Sequence, residues 1–292
     1  MKTNIRKGFH IPFHFTEDEI VELGKKLIEP GYYDWIEIKW PHNYIGFHNH
    51  SYIYGIKHLI DTYNIGVSCH IPTNLDLGQT NIFMRKTLIE EIKKCIDYAH
   101  EMKASIMPVH PGTILTFDPP ATDETEVKKM LRAELINKKK NARDLSVSVI
   151  KEIAEYAKQY NITIAVENLL LPQEICYKAE ELNEIVALCD MDNVKALYDC
   201  GHAHRVKEDV GEFVKILGKN LCHVHFNDND STCDLHLQLK EGNIDYESIF
   251  KSLYEINYHG AIIMETSYKN ADDLIISSNI LDEYMKKYGE LL

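Results

Sequence analysis

Short β-rich runs alternate with stretches of helical periodicity along this chain, and that alternation restricts the fold more than any other feature. Eight runs of apolar and β-branched residues lie at 5–10, 35–40, 66–70, 105–110, 163–167, 195–199, 222–225 and 261–265. Apolar residues at helical spacing fill 16–27, 82–102, 142–160, 179–189, 210–217, 246–256 and 271–287, with a weaker helical pattern over 50–63. Thr16 and Glu19 have the spacing of a capping box at the head of the first helix. Strands that are apolar almost throughout, each followed by a helix, predict a parallel sheet covered on both faces. Eight such units predict an α/β fold, a closed (β/α)8 TIM barrel with outer helices, over residues 1–292 as a single domain. An open doubly wound sheet would carry a glycine-rich phosphate turn after its first strand, and the chain has no G-x-G-x-x-G.

The longest stretch without a clear pattern runs from Pro111 to about Lys140 and contains FDPPATDETE. In a barrel this is the loop after the fourth strand, a lid carrying a short helix. Lys138 to Lys140 read as a solvated helix face.

Charge and cysteine usage narrow the partners. Acidic residues outnumber basic ones 45 to 32, a net charge of −13, which argues against a surface built for nucleic acid or for an anionic membrane. A local basic pocket for one phosphate is compatible with that balance. No run approaches the length of a membrane span, and MKTNIRKGFHIPFHF lacks the apolar stretch of a secretory leader. Seven cysteines, with no C-x-x-C, fit a reduced compartment better than a disulfide framework. The expectation is a cytoplasmic protein with no nucleic-acid or membrane partner. Barrels of this size often pair, so a homo-oligomer is compatible with the sequence.

The ends of the strands carry the chemistry. VSCH stops at His70, IMPVH at His110, ITIAVE at Glu167, VKALYD at Asp199, CHVH at His225 and AIIME at Glu265. One histidine at a strand end is more often a satisfied rim residue than a ligand. Six metal-capable side chains at the same end of six strands are another matter, because all strand ends meet at the C-terminal mouth of a parallel barrel. Burying so many ionisable groups without a cation would cost several kcal/mol per charge. His202, Asp234 and His236 follow just beyond the strands, in DCGHAH and DLH. Imidazole and carboxylate donors without thiolate fit Zn²⁺, Mn²⁺, Fe²⁺ or Co²⁺, with Mg²⁺ also compatible, and fit Ca²⁺ poorly. Cys69, Cys200 and Cys222 alternate with these donors and are assigned to packing.

CHIP, VHPG, VENL, LYDCGHAH, HVHFNDN, D-x-H-x-x-L-x-EGNID and MET, in this order and at strand ends, resemble the signatures of the xylose isomerase-like TIM-barrel superfamily over about residues 5 to 290. That group holds sugar-phosphate isomerases and epimerases, inosose isomerases and dehydratases, and three-zinc apurinic endonucleases. The isomerase members imply one divalent metal held by Glu167, Asp199, His225 and Glu265, with Glu167 and Glu265 also acting as acid and base. The endonuclease branch implies nine ligands for three zincs, and all nine have a match: those four with His70, His110, His202, Asp234 and His236. Lys240, in LKEGN, stands where the family usually has glycine.

Two enzyme classes follow from the resemblance. A sugar or polyol isomerase or epimerase would bind adjacent substrate oxygens at the metal and pass a proton through an enediolate. Its substrate contacts would include His10, Glu37, Trp40 and His110 at the rim, with Arg205 and Lys240 either meeting a phosphate or standing in solvent. A phosphoester hydrolase would use two or three zincs to activate hydroxide. The acidic stretch DPPATDETE and the weakly charged PHNYIGFHNH oppose a duplex-binding mouth. A lyase on the same scaffold and a non-catalytic sugar-binding module complete the set. The first class is the reading adopted: a carbohydrate substrate, a divalent metal and no nucleotide cofactor.

Overall fold

The computed structural model describes residues 5–40, 50–114, 125–171 and 173–290. Eight parallel strands close into a barrel in sequence order: β1 (Arg6–His10), β2 (Trp35–Lys39), β3 (Gly66–His70), β4 (Ile106–Val109), β5 (Thr163–Glu167), β6 (Val194–Asp199), β7 (Leu221–Phe226) and β8 (Ala261–Met264). β8 closes on β1, with Gly8 opposite Ile263. The helices are α1 (Glu17–Leu23), α2 (His50–Thr62), α3 (Ile82–Glu101), α4 (Thr125–Lys158), α5 (Ala179–Cys189), α6 (Cys200–Arg205), α7 (Val210–Leu217), α8 (Tyr246–Glu255) and α9 (Ala271–Gly289). The closed barrel expected from the alternation is what forms, with every strand within a residue or two of its expected position.

Strand alternation sorts side chains between two environments. On β2, Ile36 and Ile38 are fully buried in the large core under the helices, while Trp35 packs with Ala261 and Ile263 in a separate cluster. Glu37 and Lys39 therefore follow Trp35 up the barrel axis toward the mouth. Trp35 fits because β3 opens on glycine: a Cβ at Gly66 would lie 2.1 Å from its ring. The inside of the barrel is thus apolar at the bottom and polar above.

Three elements differ from the sequence expectation. The first helix is α-helical only to Leu23 and continues as a π-turn over Gly24–Ile28, which brings Leu27 and Ile28 into the core. The Thr16–Glu19 capping box is formed. The stretch expected to stay largely irregular to about Lys140 is instead helical from Thr125. Among its residues whose burial is described, Ile136 is 69% exposed and burial begins at Ala142. Lys139, rather than standing in solvent, pairs with Glu181 and lies over the Tyr177 ring. Finally, α6 was not anticipated; it is one short turn capped by Asp199, whose carboxylate accepts from His202 N–H at 2.7 Å. Most of FDPPATDETE and of PHNYIGFHNH lies outside the described residues. No described helix is long and apolar enough to cross a membrane.

Candidate metal centre

The nine expected donors gather at the barrel mouth in three sets, two of which share Glu167, each with ligand atoms within 4.8 Å of one another. Glu167, Asp199, His225 and Glu265, from four adjacent strands or the residue after one, form the deepest set. His225 Nδ1 lies 3.0 Å from Glu265 Oε2, 3.4 Å from Glu167 Oε1 and 3.9 Å from Asp199 Oδ2. A second set joins His70 and His110, whose Nε2 atoms both lie 3.2 Å from Glu167 Oε2. The third brings His202 and His236 to Asp234, with Nε2 atoms 3.5 and 3.2 Å from Oδ2. Glu167 bridges the first two sets, one oxygen to each.

The hydrogen bonds around the rings fit a cation. Nδ1 of His70, His202 and His236 lies 2.5, 2.8 and 2.7 Å from the carbonyls of Ile71, Asn168 and Glu265. A ring that donates Nδ1–H to a carbonyl keeps its lone pair on Nε2, the nitrogen that faces the carboxylates. His225 is turned the other way. Its Nε2 lies 3.0 Å from Glu37 Oε1 and its Nδ1 is aimed among three carboxylates, and neither buried nitrogen makes a hydrogen bond among the described residues. An unpartnered buried nitrogen beside three carboxylates is what a metal ligand looks like before the ion is counted.

Without an ion, the compensating charge sits on imidazoles. Burial opposes ionisation of Glu167, but the rings of His225 and His110 outweigh it and hold the carboxyl well below the usual range. Glu265 is likewise held low against burial by His225, His236 and Lys39. Burial pushes Asp199 up, with His202 pulling against it. Burial would lower His225, yet Glu37, Glu265 and Glu167 raise it well above the ordinary imidazole value. His236, pulled down by burial and up by Asp234, ends at about 9.

A supporting layer holds these donors. Asn168 accepts from Asp199 N–H at 2.8 Å and donates to the Asp199 carbonyl at 3.0 Å. Asn227 donates to Asp199 Oδ2 at 3.3 Å. Buried Asp228 accepts from the backbone N–H groups of Asn229, Lys240, Gly242 and Ile244 at 2.9 to 3.2 Å. It thereby closes the loop that presents Asp234 and His236. Lys240 takes the left-handed conformation, φ 72°, so the loop keeps a glycine-like turn without glycine.

The expected substrate contacts separate. Glu37 is wholly buried beneath the candidate ligands, accepting from Ser68 Oγ at 2.8 Å and lying 3.1 Å from His223 Nε2. His10 and Trp40 line two cavities at the mouth, of about 340 and 230 Å³. Arg205, half-buried at the end of α6, and Lys240, 4.0 Å from Glu283, line neither. Lys39 lines both, and the sequence reading passed over it. Its signal was available: in WIEIK it stands two residues after Glu37, on the same inward face. Cys69 and Cys200 are buried and free, as packing residues should be, and Cys222 is half-buried.

A closed α/β barrel whose mouth carries histidine and carboxylate donors from successive strand ends defines a class, and the comparisons with known proteins place the chain within it. The family model described as xylose isomerase-like TIM barrel matches residues 20–286, and the chain belongs to that family. An uncharacterized protein of Methanocaldococcus jannaschii is 30% identical over 94% of this chain and 88% of its own length. Inosose isomerase of Bacillus subtilis is 25% identical over 48% of this chain and 54% of its own. A crystal structure titled D-tagatose 3-epimerase-like protein superposes with a TM-score of 0.77 at 28% identity, covering 98% of this chain and 99% of that one.

Proposed function

We propose that this protein is a divalent-metal-dependent isomerase or epimerase of a sugar, sugar phosphate or polyol. The observation that carries the reading is the pair Glu167 and Glu265, brought from β5 and from just after β8 to the same buried His225 nitrogen. Relatives named as inosose isomerase and as an epimerase-like protein support it. A divalent cation held by Glu167, Asp199, His225 and Glu265 would polarise the substrate carbonyl and balance the charge developing on its oxygen. One glutamate takes the proton from the carbon next to the carbonyl, leaving its electron pair in the enediolate. The other glutamate returns a proton, to the opposite face for epimerisation or to the neighbouring carbon for isomerisation. Both carboxyls are held ionised, so either can begin as base, and the one that returns a proton first takes it from water. His70 and His110 flank Glu167 and fix the direction of its second oxygen.

Glu167→Gln and Glu265→Gln test this. Each should lower turnover on ketoses or inososes by about a hundredfold or more, and should abolish exchange of substrate hydrogen with solvent deuterium. The far-ultraviolet circular dichroism should stay unchanged. Exchange at the wild-type rate in both variants would refute the acid–base assignment.

A second reading, a three-zinc phosphoester hydrolase, is favoured by one observation: the nine donors assemble into three sets. The net charge of −13 weighs against a nucleic-acid substrate. Elemental analysis of protein purified without chelator separates the two. About one exchangeable ion per chain supports the isomerase; about three tightly held zincs, with cleavage of abasic DNA, supports the hydrolase.

A further inference from the structure

We infer that Lys39 makes this site selective for an anionic substrate, one carrying a carboxylate or a phosphate. The inference rests on the isomerase reading and names its substrate class. Lys39 ends β2 on the barrel's inner face, one step above Glu37, and among the described residues it alone lines both mouth cavities. No other lysine or arginine among the described residues lines either one. The larger cavity also contains Glu265 and His236, so the ammonium stands beside the metal ligands.

The ammonium is under-used. Its one ionic neighbour among the described residues is Glu265 Oε1, at 3.8 Å, too far for a hydrogen bond. Its side chain is 35% exposed, so part of its hydration has been removed while its three donors keep no hydrogen-bond acceptor among the described residues. Glu265 also belongs to the deepest ligand set. Once that carboxylate serves a cation, Lys39 loses its only counter-charge and faces the cavities as an unpaired positive group. An anion is the partner that completes it.

The neighbours suit the rest of such a molecule. His10 Nε2 is buried, has no hydrogen-bond partner and lines the same cavity. Burial, then Lys39, lowers His10 to about 3, so its ring is neutral. Thr266, Ser267 and Tyr268 lie on the same wall, and Tyr268 donates to the His10 carbonyl at 3.0 Å. Because Lys39 is set by a strand and not by a loop, its position relative to Glu265 is fixed before substrate arrives.

The test uses the full-length, metal-loaded protein as wild type, Lys39→Met and Lys39→Arg. Inorganic phosphate, glycolate as the carboxylate probe and glycerol as the neutral one are titrated calorimetrically. Wild type should bind phosphate or glycolate about tenfold to a hundredfold more tightly than Lys39→Met does, and Lys39→Arg should recover most of the loss. Which anion responds tells phosphate from carboxylate. Equal anion affinity in wild type and Lys39→Met, or no anion binding to wild type, would overturn the inference. A turnover panel of sugar phosphates, sugar acids and neutral sugars then separates the two claims. Neutral sugars preferred, with Lys39→Met affecting all classes alike, would sink the anionic class and leave the isomerase standing. Lys39-dependent anion binding without epimerisation of any sugar would keep the anion site and remove the isomerase.

Discussion

Consider Glu37 replaced by glutamine. Its carboxylate is fully buried and shares its two oxygens among His225, His223 and Ser68. The 3.0 Å step to His225 Nε2, the width of the ring and a metal–nitrogen bond of about 2.1 Å put its charge about 7 Å from a cation on Nδ1. At an effective dielectric of about 20, one charge against two over that distance amounts to about 5 kcal/mol, an upper bound. The glutamine still accepts with one oxygen, and loss of an outer partner of a metal-binding histidine commonly weakens affinity about tenfold to a hundredfold, about 1.4 to 2.7 kcal/mol. The dissociation constant for zinc, measured by competition with a chelating dye, should rise within that range. The absorption bands of the cobalt-loaded protein should shift, because the ring no longer carries the same electron density. The metal-free variant should lose about 1 to 3 kcal/mol in urea unfolding, since the amide N–H₂ now meets donors. Zinc affinity within twofold of wild type, with unaltered cobalt bands, would refute the coupling of Glu37 to the site.

Three further outcomes follow from the geometry. Asp228→Ala strands four backbone donors, two buried and two part-buried, and should cost about 3 to 5 kcal/mol of stability in denaturant titration; a loss below about 1 kcal/mol would show that the loop closes without it. Metal uptake should release protons, because His236 stands at about 9 when metal-free and must shed its proton to bind. Its raised value stabilises the metal-free fold fully below about 6.5, and that contribution fades as pH rises toward about 9. Calorimetry in two buffers of different ionisation enthalpy should therefore give different apparent heats at pH 7, and identical heats would contradict the charge assignment. His236→Ala should leave the deepest set intact and lower metal content by no more than the ion of its own set, whereas Glu265→Ala should strip the deepest ion; equal losses in both would point to one indivisible cluster.

The strands were readable because a parallel barrel buries both faces of each, so VSCH, ITIAVE and VKALYD stand out against their surroundings. The nine donors were readable for a related reason: the barrel places all strand ends together, so position in sequence becomes position at the mouth. Depth was not readable. Glu37 and Lys39 share a face, and only the axial rise of β2 puts one under the metal ligands and the other among the cavities. Asp228 stands out in sequence only as one more carboxylate beside His225, Asp234 and His236, and Asn168 not at all, because their partners are backbone groups, which carry no residue identity for a sequence to show. The first half of α4 was missed although Val127, Met130, Leu131 and Leu135 stand at helical spacing, because the acidic, proline-containing FDPPATDETE was given more weight.

Glu167 offers one oxygen to His70 and His110 and the other toward His225. A side chain shared in this way cannot be turned to suit one set without moving for the other. Ions in both sets would therefore be coupled: the first would freeze the rotamer that the next one needs, and its departure would loosen both. The number of ions carried at a given free-metal level would then be a graded property of the chain, set by small changes around one glutamate. A barrel with that property could drift between one-ion and several-ion chemistry without rebuilding its scaffold.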